Sequence, residues 1–464
     1  MDSIPSPVNS GMQPATQSRR TRETSQAGSV RSIGSTARDR DGNVMHGVGT
    51  EGEEVPIELL QSVYLSNPMS PSPDSGAFPP SAFSPPDSAV PRSHHRTQSW
   101  SSERYAPNAV LDWPSSVAFT TRTTYPPVRR LARAQKKRVL VTGGAGFVGS
   151  HLVDRLMFLG HDVVVLDNFF SGSKTTLGHW VGHPNFELVR GDVVEPLLVE
   201  VDQIYHLACP ASPKAYQLNA VKTLKTSFTG TQNMLGLAKR TKARFLLSST
   251  SEVYGSPTVH PQPEEYWGNV NPNGPRSCYD EGKRVAEALT YGYARQDGVD
   301  VRVARIFNCF GPRMSLDDGR LVSNFAVAAL RGEPLQIYGD GQATRSLMFV
   351  HDLITGLIAL MESSYSEGPV NIGTADEGTV LSWAEEILSL VKELRASGAI
   401  APLPHGQPES KIEFVPAVVD DPPRRKPDIS RAKQELGWEP KWPVRSGLEE
   451  TILYFARQLE EGQN

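Results

Sequence analysis

The sequence has little of what builds extracellular or membrane proteins. Only three of its 464 residues are cysteine, at positions 209, 278 and 309. Their spacing matches neither a disulfide framework nor a zinc site, so Cys209, Cys278 and Cys309 read as small packing residues in a reducing compartment. No stretch approaches the roughly 20 consecutive apolar residues that a membrane-spanning helix requires, and the N-terminus lacks the apolar core of a secretory signal. Neither sign of charge dominates: the formal net charge is -4, which gives no general drive toward nucleic acid or an anionic membrane. A cytoplasmic protein without a metal centre is the expectation.

Apolar residues are also scarce at one end. From Met1 to about Ala134 the chain is dominated by Ser, Pro, Arg, Gly and Thr, with runs such as Ser70-Pro71-Ser72-Pro73 and Pro85-Pro86. Ordering backbone costs roughly 1–2 kcal/mol per residue, and such a segment buries too little apolar surface to offset that. Residues 1–134 are therefore expected to be a disordered tail. Within it, Arg96-Thr97-Gln98-Ser99-Trp100-Ser101 has the basic and hydroxyl residues of a kinase site, but serine is abundant enough there for chance to account for it.

Order is expected from Lys136. Val139-Leu140-Val141 reads as a buried strand, and similar runs recur at Asp162–Leu166, Phe186–Val189, Gln203–Leu207, Arg244–Leu247 and Val301–Ile306. Segments with helical spacing lie between them, notably His151–Phe158 and Val221–Lys239. Such alternation predicts an α/β fold, a doubly wound parallel sheet of the Rossmann type. Residues 135–310 are assigned mainly to this dinucleotide-binding domain. Residues 311–464, with helical stretches at Leu321–Leu330, Leu381–Leu394 and Gly447–Leu459, are assigned mainly to a smaller substrate-binding lobe closed by a C-terminal helix.

The first strand runs into Gly143, Gly146 and Gly149, spaced G-x-x-G-x-x-G. Glycine there allows a tight turn and lets backbone approach a pyrophosphate at a helix N-terminus. Asp167 closes the second strand, where a carboxylate accepts ribose hydroxyls and repels a 2′-phosphate; Asn168 and Phe169 beside it offer no guanidinium. NAD is thus favoured over NADP.

Tyr279 and Lys283 stand four apart, and of the thirteen tyrosines only this one is followed by lysine at that spacing. On one helix face, the ammonium and a cationic nicotinamide ring would favour phenolate, making Tyr279 a base for a sugar hydroxyl. Thr250, Ser251 and Glu252 follow the strand Phe245-Leu246-Leu247, at a strand end where open sheets bind ligands, although capping of the next turn explains one or two of them.

Together these residues resemble the extended short-chain dehydrogenase/reductase family, over about Lys136 to Phe455. Within it they are most similar to the UDP-glucuronate decarboxylases, also called UDP-xylose synthases. The strings that carry the likeness are His206-Leu207-Ala208-Cys209-Pro210-Ala211-Ser212-Pro213, Ser249 to Gly255, Ser277 to Arg284, Arg305 to Met314 and Arg424-Arg425-Lys426-Pro427-Asp428-Ile429. The resemblance implies oxidation of the sugar at carbon 4 by Tyr279, Lys283 and NAD, loss of the carboxylate from the β-keto acid, and protonation at carbon 5 with Glu252 as participant. It also implies that Thr250 or Ser251 holds the reacting oxygen and that Arg425 lies near the substrate. Where the 4,6-dehydratases carry an Asp before the Glu this chain has Ser251, which suits a sugar already bearing an acid.

The same resemblance implies cofactor contacts from Phe147, Val148, Asp192, Val193 and Leu207, and substrate contacts from Lys225, Asn233, Asn308, Arg320, Tyr338 and Arg345. It implies a homodimer paired through helices. Ser227 replaces an Asn common in relatives, which puts that contact in doubt, and Ala396–Ser410 reads as a surface loop insertion. Two other readings stay open: a UDP-sugar 4-epimerase or 4,6-dehydratase, and an NAD-binding scaffold without turnover, for which Tyr279, Lys283 and Glu252 have no use.

Overall fold

The computed structural model describes residues 125–417 and 422–462. The expected tail up to residue 124, with its kinase-like string, lies outside the described residues. Residues 125–134, also expected to be tail, pack against the folded part. The Arg129 N–H donates to the Phe158 carbonyl at 3.1 Å, and Tyr125 packs edge-on against His183 with ring centres 5.1 Å apart. Val128 packs against the hydrophobic core and Leu131 lies against Gly160.

Six strands follow: β1 (Arg138–Thr142), β2 (Asp162–Asp167), β3 (Phe186–Arg190), β4 (Gln203–His206), β5 (Arg244–Thr250) and β6 (Val301–Ile306). With Val370–Ile372 they form one seven-stranded parallel sheet whose order is Val370–Ile372, β6, β5, β4, β1, β2, β3. Both faces of the central strands are covered, so their middle residues are apolar, whereas the edge strand β3 is only partly buried. Leu140, Val164, Ile204 and Phe245 pack to one side with Met234 and Leu235, whereas Val139, Val141, Val163 and Leu246 pack to the other with Leu152 and Leu156. The order reverses between β1 and β4, which opens a crevice at the carboxyl ends of those two strands. The strand Val370–Ile372 comes from beyond residue 310, so the chain past that point contributes to the sheet as well as to the lobe.

Helix α1 (Phe147–Phe158) starts four residues before the expected His151, directly after the glycine turn. Next come α2 (Pro213–Leu218), capped by Ser212, and α3 (Ala220–Lys225). The single helix expected over Val221–Lys239 is interrupted by a π-helical turn at Thr226–Gly230 before it resumes as α4 (Thr231–Thr241). A wide turn of this kind concentrates at functional positions, and this one packs on α5 (Ser277–Asp297). α6 (Leu321–Arg331) opens the lobe.

The expected helices near the C-terminus are present as Val380–Ala396 and Val444–Glu461. In the lobe, Thr344–Ser346 pairs antiparallel with Glu377–Thr379 and parallel with Arg424–Arg425, which sets Arg345 directly opposite Arg425. The Arg425 segment is also fastened to the loop after β5: Gln262 N–H donates to the Lys426 carbonyl and Asp428 N–H to the Gln262 carbonyl, both at 2.9 Å. The loop after residue 396 is exposed along most of its length, with Ser410 and Gln407 tying its far end to the last turn of α6.

Candidate functional site

The crevice beside β1 is built from backbone. Gly143 has φ +70°, and a Cβ there would lie 3.0 Å from the Ala208 backbone; one on Gly149 would lie 2.1 Å from the Gly143 carbonyl oxygen. Only glycine lets the turn close this tightly, and no side chain caps α1 at Gly146, so the first turn of the helix presents its N–H groups to the cleft. Asp167, 7% exposed, receives the Ala145 N–H on Oδ2 at 2.9 Å and the Phe169 N–H on Oδ1 at 2.8 Å. Burial pushes its carboxyl above the usual range although these two bonds pull the other way. Each oxygen keeps a lone pair for a ribose hydroxyl. The cleft holds about 780 Å³, and Val148, Asn168, Asp192, Val193 and Leu207 all line it. Phe169 does not; it turns back with φ 59° to lie under the Lys174 ammonium, and Phe170 forms the wall in its place. These residues fit a dinucleotide: a glycine cradle for the diphosphate and a buried carboxylate for the ribose.

Behind the cleft wall at Cys209 and Arg320, α5 carries Tyr279 and Lys283, 7% and 5% exposed; neither lines the cleft itself. Lys283 Nζ donates to the Ser248 carbonyl at 2.7 Å and lies 5.9 Å from the Tyr279 ring centre. Tyr279 stacks on Tyr216 with centres 5.0 Å apart and planes 8° from parallel. Burial, and then the neighbouring Cys209, push its phenol well above the ordinary value; Arg320 and the Thr250 hydroxyl pull it down without prevailing. The Lys283 side chain is engaged with a carbonyl, and burial outweighs the neighbours that favour phenolate; the cationic nicotinamide ring expected from the sequence would add to those neighbours.

Beyond β5, Thr250 caps the turn Ser251–Tyr254, its Oγ1 accepting the Glu252 N–H at 3.3 Å. That turn aims Glu252 at two guanidinium groups. Arg425 Nη1 and Nη2 donate to Oε1 and Oε2 at 2.6 and 2.8 Å, and Arg276 Nη2 donates to Oε2 at 2.6 Å. Burial raises the carboxyl, but Arg425, Arg276 and Arg345 outweigh it and hold Glu252 below the usual range. Ser251 is buried at the start of the same turn. The structure brings Tyr279, Lys283, Thr250, Ser251, Glu252 and Arg425 close together, and places Arg276, which the sequence analysis did not single out, among them. Its signal was available: Arg276 stands three residues before Tyr279, one helical turn away.

The expected substrate residues divide. Arg320 lines the cleft at the N-terminus of α6, 3.1 Å from Asp318, and Arg345 is buried behind Arg425. Asn308 is half-buried after β6, and Tyr338 is 51% exposed on the strand Leu335–Tyr338. Lys225 and Asn233 do not line the main cleft. Lys225 borders a separate cavity of about 280 Å³ with Asp192 and Lys222, and the Asn233 amide is spent on the Val193 carbonyl at 3.0 Å. Ser227 is buried in the π turn with its Oγ 3.5 Å from Cys209 Sγ, so the position still reaches the wall beside Tyr279.

The family profile described as GDP-mannose 4,6 dehydratase matches residues 140–451. The UDP-glucuronic acid decarboxylase 1 of Danio rerio is 58% identical over 348 residues, covering 75% of this chain and 79% of that protein. The UDP-glucuronic acid decarboxylase 4 of Arabidopsis thaliana is 58% identical over 322 residues, covering 69% of each. Among solved structures, a UDP-glucuronic acid 4-epimerase from Bacillus cereus in complex with UDP-glucuronic acid and NAD is 26% identical, with a TM-score of 0.60 over 69% of this chain and 99% of that one. With its glycine cradle, its Tyr279–Lys283 helix and the clamped Glu252, the chain belongs to the UDP-glucuronic acid decarboxylase family.

Proposed function

We propose that the protein converts UDP-glucuronate to UDP-xylose and carbon dioxide through a 4-keto sugar. The observation that carries this reading is the Glu252 carboxylate clamped between Arg425 and Arg276 next to Tyr279. A sugar acid needs fixed positive charge at its carboxylate and a group able to relay a proton to the neighbouring carbon, and the arginines and Glu252 of this cluster supply the two. When bound, NAD accepts hydride from carbon 4 and returns it in the same turnover. Tyr279 takes the proton of the 4-hydroxyl, Thr250 orients the oxygen, and Lys283 steadies the charge that develops. The resulting β-keto acid loses carbon dioxide because the new carbonyl accepts the electron pair. Arg425 and Ser251 hold the departing carboxylate, and Glu252 relays a proton from solvent to carbon 5 of the enolate, while the proton on Tyr279 returns to the 4-oxygen as hydride comes back. Arg320, Arg345, Asn308 and Tyr338 hold the nucleotide and its diphosphate.

Purified protein incubated with UDP-glucuronate labelled at carbon 6, without added NAD, is expected to release labelled carbon dioxide and form UDP-xylose. Label retained in a UDP-sugar epimer would establish 4-epimerisation instead.

The assembly we propose is a homodimer. Val221, Leu224, Phe228 and Val285 are 63%, 41%, 43% and 37% exposed along α3, the π turn and α5. A row of large apolar side chains on two packed helices matches a second copy of the same surface. Free thiols at all three cysteines suit the cytosol as its compartment.

A further inference from the structure

Asp280 has no task in the chemistry above. It follows Tyr279 on α5, is 6% exposed, and its Oδ1 has no hydrogen-bond partner among the described residues. Its Oδ2 lies 3.9 Å from Nε of Arg276, the guanidinium that donates to Glu252 at 2.6 Å. The charged and titratable groups around it are Arg276, Cys278 and Glu281 on its own helix, Glu252 from the turn after β5, Arg425 from the lobe and Tyr216 from α2. One guanidinium thus faces two carboxyl groups, and one of those carboxyls is short of partners.

On the reading that this arginine cluster receives the carboxylate of UDP-glucuronate, we propose that Asp280 is a positioning residue that must be protonated for an acidic sugar to bind. Binding of such a sugar is then coupled to uptake of a proton by Asp280, acting through Arg276. An ionised Asp280 draws on Arg276 and places a second negative charge beside the incoming one. A neutral Asp280 leaves the guanidinium groups to Glu252 and the substrate. Burial, and then the Glu252 charge, push the Asp280 carboxyl up to about 7 against the pull of Arg276 and Arg425. Both forms are therefore populated near neutral pH. Linkage is reciprocal: an anion that favours the protonated form binds more weakly as pH rises, by up to ~10-fold per pH unit above the titration point.

The test is calorimetric binding to the NAD-loaded Tyr279→Phe protein, in which turnover is arrested, in buffers of differing ionisation heat. UDP-glucuronate at pH 8 is expected to bind with uptake approaching one proton per site, and UDP-xylose, which lacks the carboxylate, with none. Adding Asp280→Asn should abolish the uptake and flatten the pH dependence of UDP-glucuronate affinity. Asp280→Ser serves if the Asn protein fails to retain NAD. Uptake that persists in the neutral variant belongs to Glu252 and overturns the inference, as does equal uptake with UDP-xylose. Binding of UDP-glucuronate without uptake overturns this inference alone, whereas no binding at any pH overturns the proposed substrate with it.

Discussion

Glu252 shows how two guanidinium groups divide one carboxylate. Arg425 grips both oxygens, so its planar fork matters as much as its charge. Arg425→Lys keeps the charge and loses the fork; with a charge-assisted hydrogen bond worth ~1.5–3 kcal/mol, kcat/KM for UDP-glucuronate is expected to fall by ~10–100-fold. NAD content of the purified variant should not change, because no cradle residue touches Arg425. Steady-state kinetics beside a cofactor assay measures both. For Asp280 the stability consequence has a definite sign. Its folded-state value is raised by burial first and by Glu252 second, so its favourable contribution is complete only below the unfolded carboxyl value near ~4. That contribution is lost as pH rises toward about 7. The Tm advantage of Asp280→Asn over wild type should therefore grow from pH 5 to pH 7 and level off above it; an advantage that is flat across this range would contradict the raised value.

At the level of elements, the turn between β1 and α1 is a contact of backbone with backbone. A Cβ at Gly149 meets the Gly143 carbonyl at 2.1 Å, whereas one at Gly236 in α4 meets nothing within 4 Å. Gly149→Ala should yield protein that lacks NAD and has a lowered Tm, and Gly236→Ala should retain both, as cofactor absorbance and thermal melts would show. This turn was legible in the sequence because glycine spacing is itself the geometric requirement. The strands were legible for a related reason: a parallel sheet covered on both faces demands unbroken apolar runs. The π turn at Thr226–Gly230 was not, since its residues keep a helical pattern and the extra residue is accommodated by packing against Gly282, where a Cβ would lie 3.0 Å from Ser227 Oγ. Nor was Val370–Ile372, three residues whose strand character comes from pairing with β6. The Tyr279–Lys283 pair could be read from spacing, but the engagement of the ammonium by Ser248 could not, because that partner is 35 residues away in sequence.

For the whole molecule, the proposed dimer would bring catalysis and assembly together on the same helices. The inner side of the α3–π–α4 run carries Thr226 and Ser227, buried against α5 and the wall beside Tyr279, while its outer side exposes Val221 and Phe228. A partner copy on the outer side would hold the π turn in register with α5; without it, a turn that lacks ordinary α-helical hydrogen bonding is braced on one side only. Val221→Glu with Phe228→Glu is thus expected to shift the molar mass in light scattering from twice the chain mass to once. It should also lower kcat while leaving the NAD cradle intact, because the cradle is built from β1, α1 and β2 on the far side of the cleft. If the doubly substituted protein still scattered as a dimer, the pairing surface would lie elsewhere; if it were monomeric with kcat unchanged, the π turn would be braced by its own chain alone.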